Sequence, residues 1–293
     1  MASSRSWEDY NEALVKRGSI LLDLDFVADW SRELKGMNER KEGARFRYPE
    51  SFIKLLAVVH AYVLPFRQLE GFTRALSQYV DGLKAPDYTT IWWRVARMKV
   101  DLASSVELDK DVTIAVDSSG IKVSNRGEWI RKKWKIKRGF IKVHIAVNTR
   151  TKQILAIEVT KETVSDGKML EPLVEESAQK TDVKRVLGDG AYDSRKNFTL
   201  LAGKNIDPVI RVRKNSSFKA KGCMARKQAV VMQLGNPEWK KEKGYGYRWM
   251  AESAFSSIKR AFGEHITSVK WKNIVNELLL KASIYNLFMA MNS

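Results

Sequence analysis

The sequence predicts an α/β protein: a sheet with helices on its faces, preceded by a helical N-terminal region. Two observations predict it. Over the first hundred residues, apolar side chains recur at helical spacing. From Asp111 onward, short β-branched runs take over and then alternate with helical stretches.

The elements follow in order. Residues 1 to 35 read as short helices, with Trp7, Tyr10, Leu14, Phe26, Val27 and Trp30 as their apolar positions. Gly36 to Arg47 is charged and glycine-containing and reads as a linker. Pro49 suits a first helical turn, and Phe52, Leu55, Leu56, Val59, His60 and Val63 continue that helix until Pro65 ends or kinks it. A second helix carries Leu69, Phe72, Leu76 and Tyr79, and Gly82 with Pro86 marks a turn. Thr89 is placed to cap a third helix, with Ile91, Trp92, Val95 and Met98 on one side and Arg94, Arg97 and Lys99 facing solvent. Three helices with a basic last member fit a helix-turn-helix DNA-binding unit and fit a plain helical bundle equally well. Strands are expected at Val112 to Val116, Phe140 to Val147, Ile154 to Val159, Val183 to Leu187 and Pro208 to Val212. Helices are expected around Met169 to Gln179 and Ser194 to Gly203.

Charge speaks to partners rather than to fold. A formal net charge of +18 makes a polyanion the natural partner, because neutralising phosphates releases counterions. Cys223 is the single cysteine, which excludes an intramolecular disulfide and fits a reducing compartment. His60, His144 and His265 lie far apart, without zinc-ligand spacing. His144 reads as a packed strand residue and Cys223 as incidental. Met1 to Arg5 opens no charged-then-apolar signal pattern, and the longest apolar stretch, Ile274 to Met291, is broken by Asn276, Glu277, Lys281 and Asn286. No membrane association is expected. The expected location is cytoplasmic, at the nucleoid.

Three acidic positions carry the chemistry. Val112 to Val116 is read as ending abruptly in Asp117, followed by Ser118, Ser119 and Gly120. The strand Val183 to Leu187 runs out through Gly188 into Asp189 and Gly190. In open α/β sheets, sites gather where strands end. The third position lies on a helix. At helical periodicity Tyr245, Arg248, Glu252 and Lys259 fall in a stripe roughly 60° wide, beside an apolar face made by Met250, Ala251, Ala254, Phe255, Ile258, Ala261 and Phe262. A solvated Arg–Glu pair would explain two of these residues but not all four. Three carboxylates can hold hard divalent ions such as Mg²⁺, and two such ions suit in-line attack at phosphorus. Arg248 and Lys259 can hold phosphate oxygens, and Tyr245 can hydrogen-bond or stack near a DNA end.

The run Tyr245, two residues, Arg248, three residues, Glu252, six residues, Lys259 resembles the third catalytic block of the DDE transposases of bacterial and archaeal insertion sequences. Asp117-Ser-Ser-Gly and Gly188-Asp-Gly-Ala-Tyr-Asp193 are similar to the first and second blocks. Leu64-Pro-Phe-Arg-Gln-Leu-Glu-Gly71 and Pro86-Asp-Tyr-Thr-Thr90 resemble the helical region of the insertion-sequence-five branch within the four/five superfamily. The resemblance implies a ribonuclease H-like mixed sheet and two Mg²⁺ or Mn²⁺ ions on Asp117, Asp189 and Glu252. It also implies cutting at terminal inverted repeats and joining of 3′-hydroxyl ends to target DNA; because two ends must be brought together, a homodimer on double-stranded DNA is expected. Four regions are expected: an arm and linker at 1–47, a DNA-binding helical region at 48–104, a catalytic domain at 105–265, and a C-terminal helix at 266–293 packing on the catalytic domain.

Further DNA contacts are expected from the segment between Lys122 and Lys142. It holds nine basic residues against the single acid Glu128, with Trp129 and Trp134 interleaved. Its candidates are Lys122, Arg126, Arg131, Lys132, Lys133 and Trp134, joined by Arg94, Arg97, Arg213 and Lys214 elsewhere. A second basic stretch runs from Arg211 through Lys219 and Lys221 to Arg226 and Lys227. Two rival readings remain at this stage: a metal-dependent nuclease that only hydrolyses, and a transposase-derived DNA-binding protein without catalysis.

Overall fold

A computed structural model describes residues 6–62, 64–100, 102, 110–123, 140–219 and 222–291. The chain divides into two compact units, one of residues 1–100 with 270–284, the other of 101–269 with 285–291.

The first unit is helical: α1 (Trp7–Ser19), α2 (Phe26–Asn38), α3 (Glu50–Tyr62), α4 (Phe66–Leu76) and α5 (Tyr88–Val95), with the first part of α11 (Trp271–Ala290). Its core is built on α3, where Phe52, Ile53 and Leu56 are fully buried with Leu69 and Ile91. Phe26 stacks on Phe52 at 4.7 Å between ring centroids, and Trp30 packs on the same ring at 5.4 Å. Glu33 of α2 caps α3 by accepting from the Ser51 N–H at 3.0 Å and from its hydroxyl.

Three expectations for this unit need correction. Of the apolar positions read on α1, Trp7, Tyr10 and Leu14 are all exposed, and Ala13 is the side chain of this helix that is buried. The charged stretch after α2 begins later than expected, because Gly36 and Asn38 are still helical. The cap of α5 is Asp87, not Thr89. With extended backbone after Pro86, the Asp87 carboxylate accepts the Thr90 N–H at 2.9 Å and the hydroxyls of Thr89 and Thr90. Thr89 instead lies inside the first turn, where its hydroxyl donates to the capping carboxylate.

The second unit holds a six-stranded mixed sheet ordered β3-β2-β1-β4-β5, with β6 on the end of β1. The strands are β1 (Val112–Val123), β2 (Phe140–Asn148), β3 (Ile154–Lys161), β4 (Val183–Gly188), β5 (Asp207–Ile210) and β6 (His265–Ile266). β1 pairs antiparallel with β2 and β2 with β3, while β4 and β5 continue parallel to β1. This is the mixed, helix-flanked sheet expected, and most strand limits agree within two residues.

The exception is β1, which does not end at Asp117. Ser118, Ser119 and Gly120 continue the ladder opposite His144, Val143 and Lys142, so the strand reaches Val123. Small residues permit a turn but do not force one when a partner strand satisfies their backbone groups. Only the pairing with β4 stops early, at Ala115 opposite Leu187.

Alternation along β1 gives the sheet two covered faces. On one, Val112, Ile114 and Val116 pack with α6 (Leu170–Ala178) and α7 (Arg195–Gly203) through Leu173, Val174, Phe198 and Leu201. Also in this unit are α8 (Met224–Gly235), the short α9 (Trp239–Glu242) and α10 (Trp249–Phe262). The helix α10 lies against β1 and β2, burying Met250, Ala251, Ala254, Phe255, Ile258 and Phe262. At the sheet edge, the Asn286 amide of α11 accepts the Ile154 N–H at 2.7 Å and donates to the Ile154 carbonyl at 2.8 Å. Among the described residues no helix is long and apolar enough to cross a membrane.

Candidate active site

The register of the sheet places two of the carboxylates. β4 ends at Gly188, and Asp189 follows in extended backbone, capping the 3-10 turn Gly190–Tyr192 by accepting the Ala191 N–H at 2.9 Å. Asp117 lies two residues beyond the last β1–β4 pair, so it projects beside that strand tip. Gly188 is tightly enclosed there: a β-carbon would meet the Tyr192 ring at 3.3 Å and a Val116 methyl at 3.4 Å.

The third carboxylate comes from α10. The run before it is not α-helical, since Tyr245–Arg248 forms a 3-10 turn and α10 begins at Trp249. The expected stripe therefore holds for Arg248, Glu252 and Lys259, while Tyr245 follows a tighter winding and half-buries its ring 4.9 Å from Trp239. The guanidinium of Arg248 bonds to the Glu252 carboxylate and lies 3.9 Å from the Asp117 carboxylate, bridging two of the three acids. From the next turns of α10, the Lys259 ammonium donates to the Ser119 hydroxyl at 2.8 Å. An open cleft of about 500 Å³ is lined by Asp117, Ser118, Ser119, Glu252, Lys259 and Arg260 among others.

Electrostatics ties the groups together. Burial raises the Asp117 carboxyl above its ordinary value, the Ser118 N–H and Arg248 oppose this, and the charges of Asp189 and Glu252 add to the rise. Burial also raises the Tyr245 phenol, which Arg248 and Arg211 oppose and Asp189 reinforces. Asp117, Asp189, Glu252, Arg248 and Tyr245 thus share one electrostatic neighbourhood. Among the described residues, no group of three or more His, Cys, Asp or Glu side chains stands ready to hold a metal ion. Arg248 supplies the positive charge between Asp117 and Glu252.

The transposase DDE domain family matches residues 109–287, well over half the chain, and a second transposase DDE domain family matches residues 15–126. The chain belongs to the transposase DDE domain family. Its structure also shows a similarity, at TM-score 0.40 and 9% identity over 95% of this chain and 74% of the other, to a piggyBac transposase solved by cryo-EM in a synaptic complex with hairpin DNA.

The basic positions of this DDE transposase separate into groups. Arg94 is a correction. It is buried, donates to the Tyr48 carbonyl at 3.1 Å, pairs with Glu50 at 2.5 Å and lies over the Phe46 ring. Three residues on from the fully buried Ile91, it shares that inner face of α5. Arg97 is exposed and stacks on Trp93 at 4.2 Å. Arg213 and Lys214 are exposed in the loop after β5, and Lys122 is exposed near Glu264. Arg126, Arg131, Lys132, Lys133, Trp134 and Trp129 lie outside the described residues, as do Lys221 and Val63.

Several side chains around the site have partners that were not read from sequence. Arg226, read there as one of a basic run, makes a two-point ion pair with Asp193 at 2.6 and 2.8 Å. Asp166 accepts from the Ser118 hydroxyl at 2.7 Å and pairs with Lys142 at 2.9 Å. His144 is fully buried near Asp166 and bonds Thr160 at 2.8 Å, as a packed strand residue. The Tyr192 hydroxyl is buried without a hydrogen-bond partner among the described residues. One signal was available: Lys142 and His144, two apart in an otherwise apolar strand, must share a face.

Proposed function

We propose that this transposase cuts phosphodiester bonds at the ends of an insertion sequence and joins the resulting 3′-hydroxyl ends to target DNA. The observation carrying this reading is that Asp117 and Glu252 line one cleft with Lys259, and that the charges of Asp189 and Glu252 both act on the Asp117 carboxyl. Burial and the like charges of Asp189 and Glu252 make the Asp117 carboxylate costly unless cations compensate it. Its all-oxygen donor set suits Mg²⁺ or Mn²⁺.

Two such ions would be held by Asp117, Asp189 and Glu252, and would activate the attacking oxygen and stabilise the leaving one. Arg248, now bridging Asp117 and Glu252, would release that bridge and turn its planar fork to phosphate oxygens. Lys259, held by Ser119 on the cleft wall, would neutralise the same phosphate from the other side. Tyr245 would order Arg248 from beneath. The exposed pair Arg97–Trp93 and the residues Arg213, Lys214 and Lys122 are proposed contacts to the DNA backbone. So are Arg126, Arg131, Lys132, Lys133 and Trp134. A homodimer would bring the two element ends together.

The test uses a labelled pre-cut element end, a target plasmid and Mg²⁺. Wild-type protein should give joined product, whereas Asp189→Asn should bind the end but join nothing. Cleavage without joining would favour the purely hydrolytic reading, and unchanged joining by the variant would refute the carboxylate assignment.

A further inference from the structure

A fourth acid stands behind the proposed site, and the established family does not by itself give it a part. Asp117 and Ser118 are consecutive in β1, so their side chains leave opposite faces of the sheet. The peptide N–H of Ser118 donates to the Asp117 carboxylate at 2.9 Å. On the other face, the Ser118 hydroxyl donates to Asp166 at 2.7 Å. Lys142, also on that face, donates to the Val164 carbonyl at 3.1 Å and pairs with the same Asp166 oxygen at 2.9 Å. Asp166 is therefore pinned from two strands, and through Ser118 it holds the peptide that holds Asp117.

The segment carrying Asp166 also reaches the second carboxylate. The next residue, Gly167, lies so close to the Asp189 turn that a β-carbon would come within 3.0 Å of the Ala191 carbonyl oxygen. One amide, Asn197 of α7, donates to the Gly167 carbonyl at 3.0 Å and to the Tyr192 carbonyl at 2.9 Å, clamping the segment to that turn. Tyr192 shows the same convergence: burial raises its phenol, and the charges of Asp166, Asp117 and Asp189 raise it further.

We propose that Asp166 is a positioning residue that sets the placement of Asp117 relative to Asp189, acting through the Ser118 hydroxyl. The inference rests on the assignment of Asp117 and Asp189 as metal-holding groups. A contact that orients a ligand from behind typically changes metal affinity or rate by about 10–100-fold. Asp166 acts on the ligand's backbone, so its effect vanishes once the Ser118 hydroxyl is gone. A direct role for Asp166 in holding an ion would survive that loss.

The experiment compares Asp166→Ala, Ser118→Ala, the double variant, Ser118→Thr and Asp117→Asn in the full chain. Two quantities are read: the Mn²⁺ concentration that gives half the metal-induced rise in Tm, and the single-turnover cleavage rate on bound DNA ends. Asp166→Ala and Ser118→Ala should each raise the Mn²⁺ requirement and lower the rate by about 10-fold or more, with end binding retained. The double variant should match the singles, and Ser118→Thr should restore both readouts. Multiplicative losses in the double variant, or wild-type behaviour of both single variants, would overturn the proposal. If Asp166→Ala does not fold, Ser118→Ala and Ser118→Thr still decide it. Asp117→Asn separates the two levels: if it keeps activity and its Mn²⁺ response, the metal assignment itself has failed.

Discussion

Replacing Arg226 with Met should destabilise the sheet-bearing unit while leaving its size and shape nearly intact. The Asp193 side chain is fully shielded from solvent, and both its oxygens are occupied. Arg226 supplies bonds of 2.6 and 2.8 Å, and the Arg213 N–H a third of 3.0 Å. Met keeps most of the apolar stem but withdraws two charge-assisted bonds and strands the carboxylate. Breaking a buried pair from one side costs about 3–5 kcal/mol. Because the Arg226 side chain is 18% exposed, water can partly replace it, so the lower end, about 3 kcal/mol, applies. For a unit of this size, that corresponds to a fall in Tm of about 6–12 °C.

The pH dependence gives the same prediction a sign. Burial raises the Asp193 carboxyl, but the bonds and charges of Arg226 and Arg213 outweigh it and leave the group below its ordinary 3.8. A depressed carboxyl contributes stability that is present above the unfolded value and lost as pH falls through the folded one. In Arg226→Met only burial remains strong, and the sign reverses. The difference in stability between the two proteins should therefore shrink as pH falls, beginning above 3.8 where the variant's raised carboxyl takes up its proton. Urea unfolding from pH 7 to pH 3 measures it. A loss under about 1 kcal/mol at pH 7, or a difference that ignores pH, would refute the argument.

Three further outcomes are expected. Burial lowers His144 from 6.5 to about 4, with Asp166 opposing and Lys142 adding to the fall. The folded state thus binds that proton less tightly, and stability of up to about 3 kcal/mol is lost as pH falls from 6.5 toward 4; His144→Gln should flatten that part of the urea-melt pH profile, and an unchanged slope would count against it. Tyr192→Phe removes a buried hydroxyl that has no partner among the described residues, and should stabilise the metal-free protein by about 1 kcal/mol; a lower Tm would mean the hydroxyl is satisfied. Asp87→Ala should cost the helical unit about 1 kcal/mol through loss of the α5 cap, whereas Thr89→Ala should cost less; the reverse order in thermal melts would restore Thr89 as the cap.

The sheet and its flanking helices were legible because each is written locally. β-branched runs mark strands, and the apolar face of α10 is written in its own period, from Met250 to Phe262. Errors fell where a local pattern was compatible with two outcomes. Ser118-Ser119-Gly120 can turn or pair, and the presence of β2 made them pair. Tyr245 can begin a helix or a 3-10 turn, and the chain after the left-handed Gly244 took the tighter winding. Arg94 reads as a surface charge, yet Tyr48, Glu50 and Phe46 enclose it.

By itself the sequence determined the fold class, the order of strands and helices along the chain, and that Asp189 follows a strand end while Glu252 lies on an amphipathic helix. Periodicity and short spacings are properties of neighbours in the chain. Only the tertiary structure decided that Arg248 bridges Asp117 and Glu252, that Asp193 pairs with Arg226, and that Asp166 reaches Ser118 from 48 residues away. Those partners are chosen by strand register and helix docking, which set distances in space that no spacing along the chain encodes.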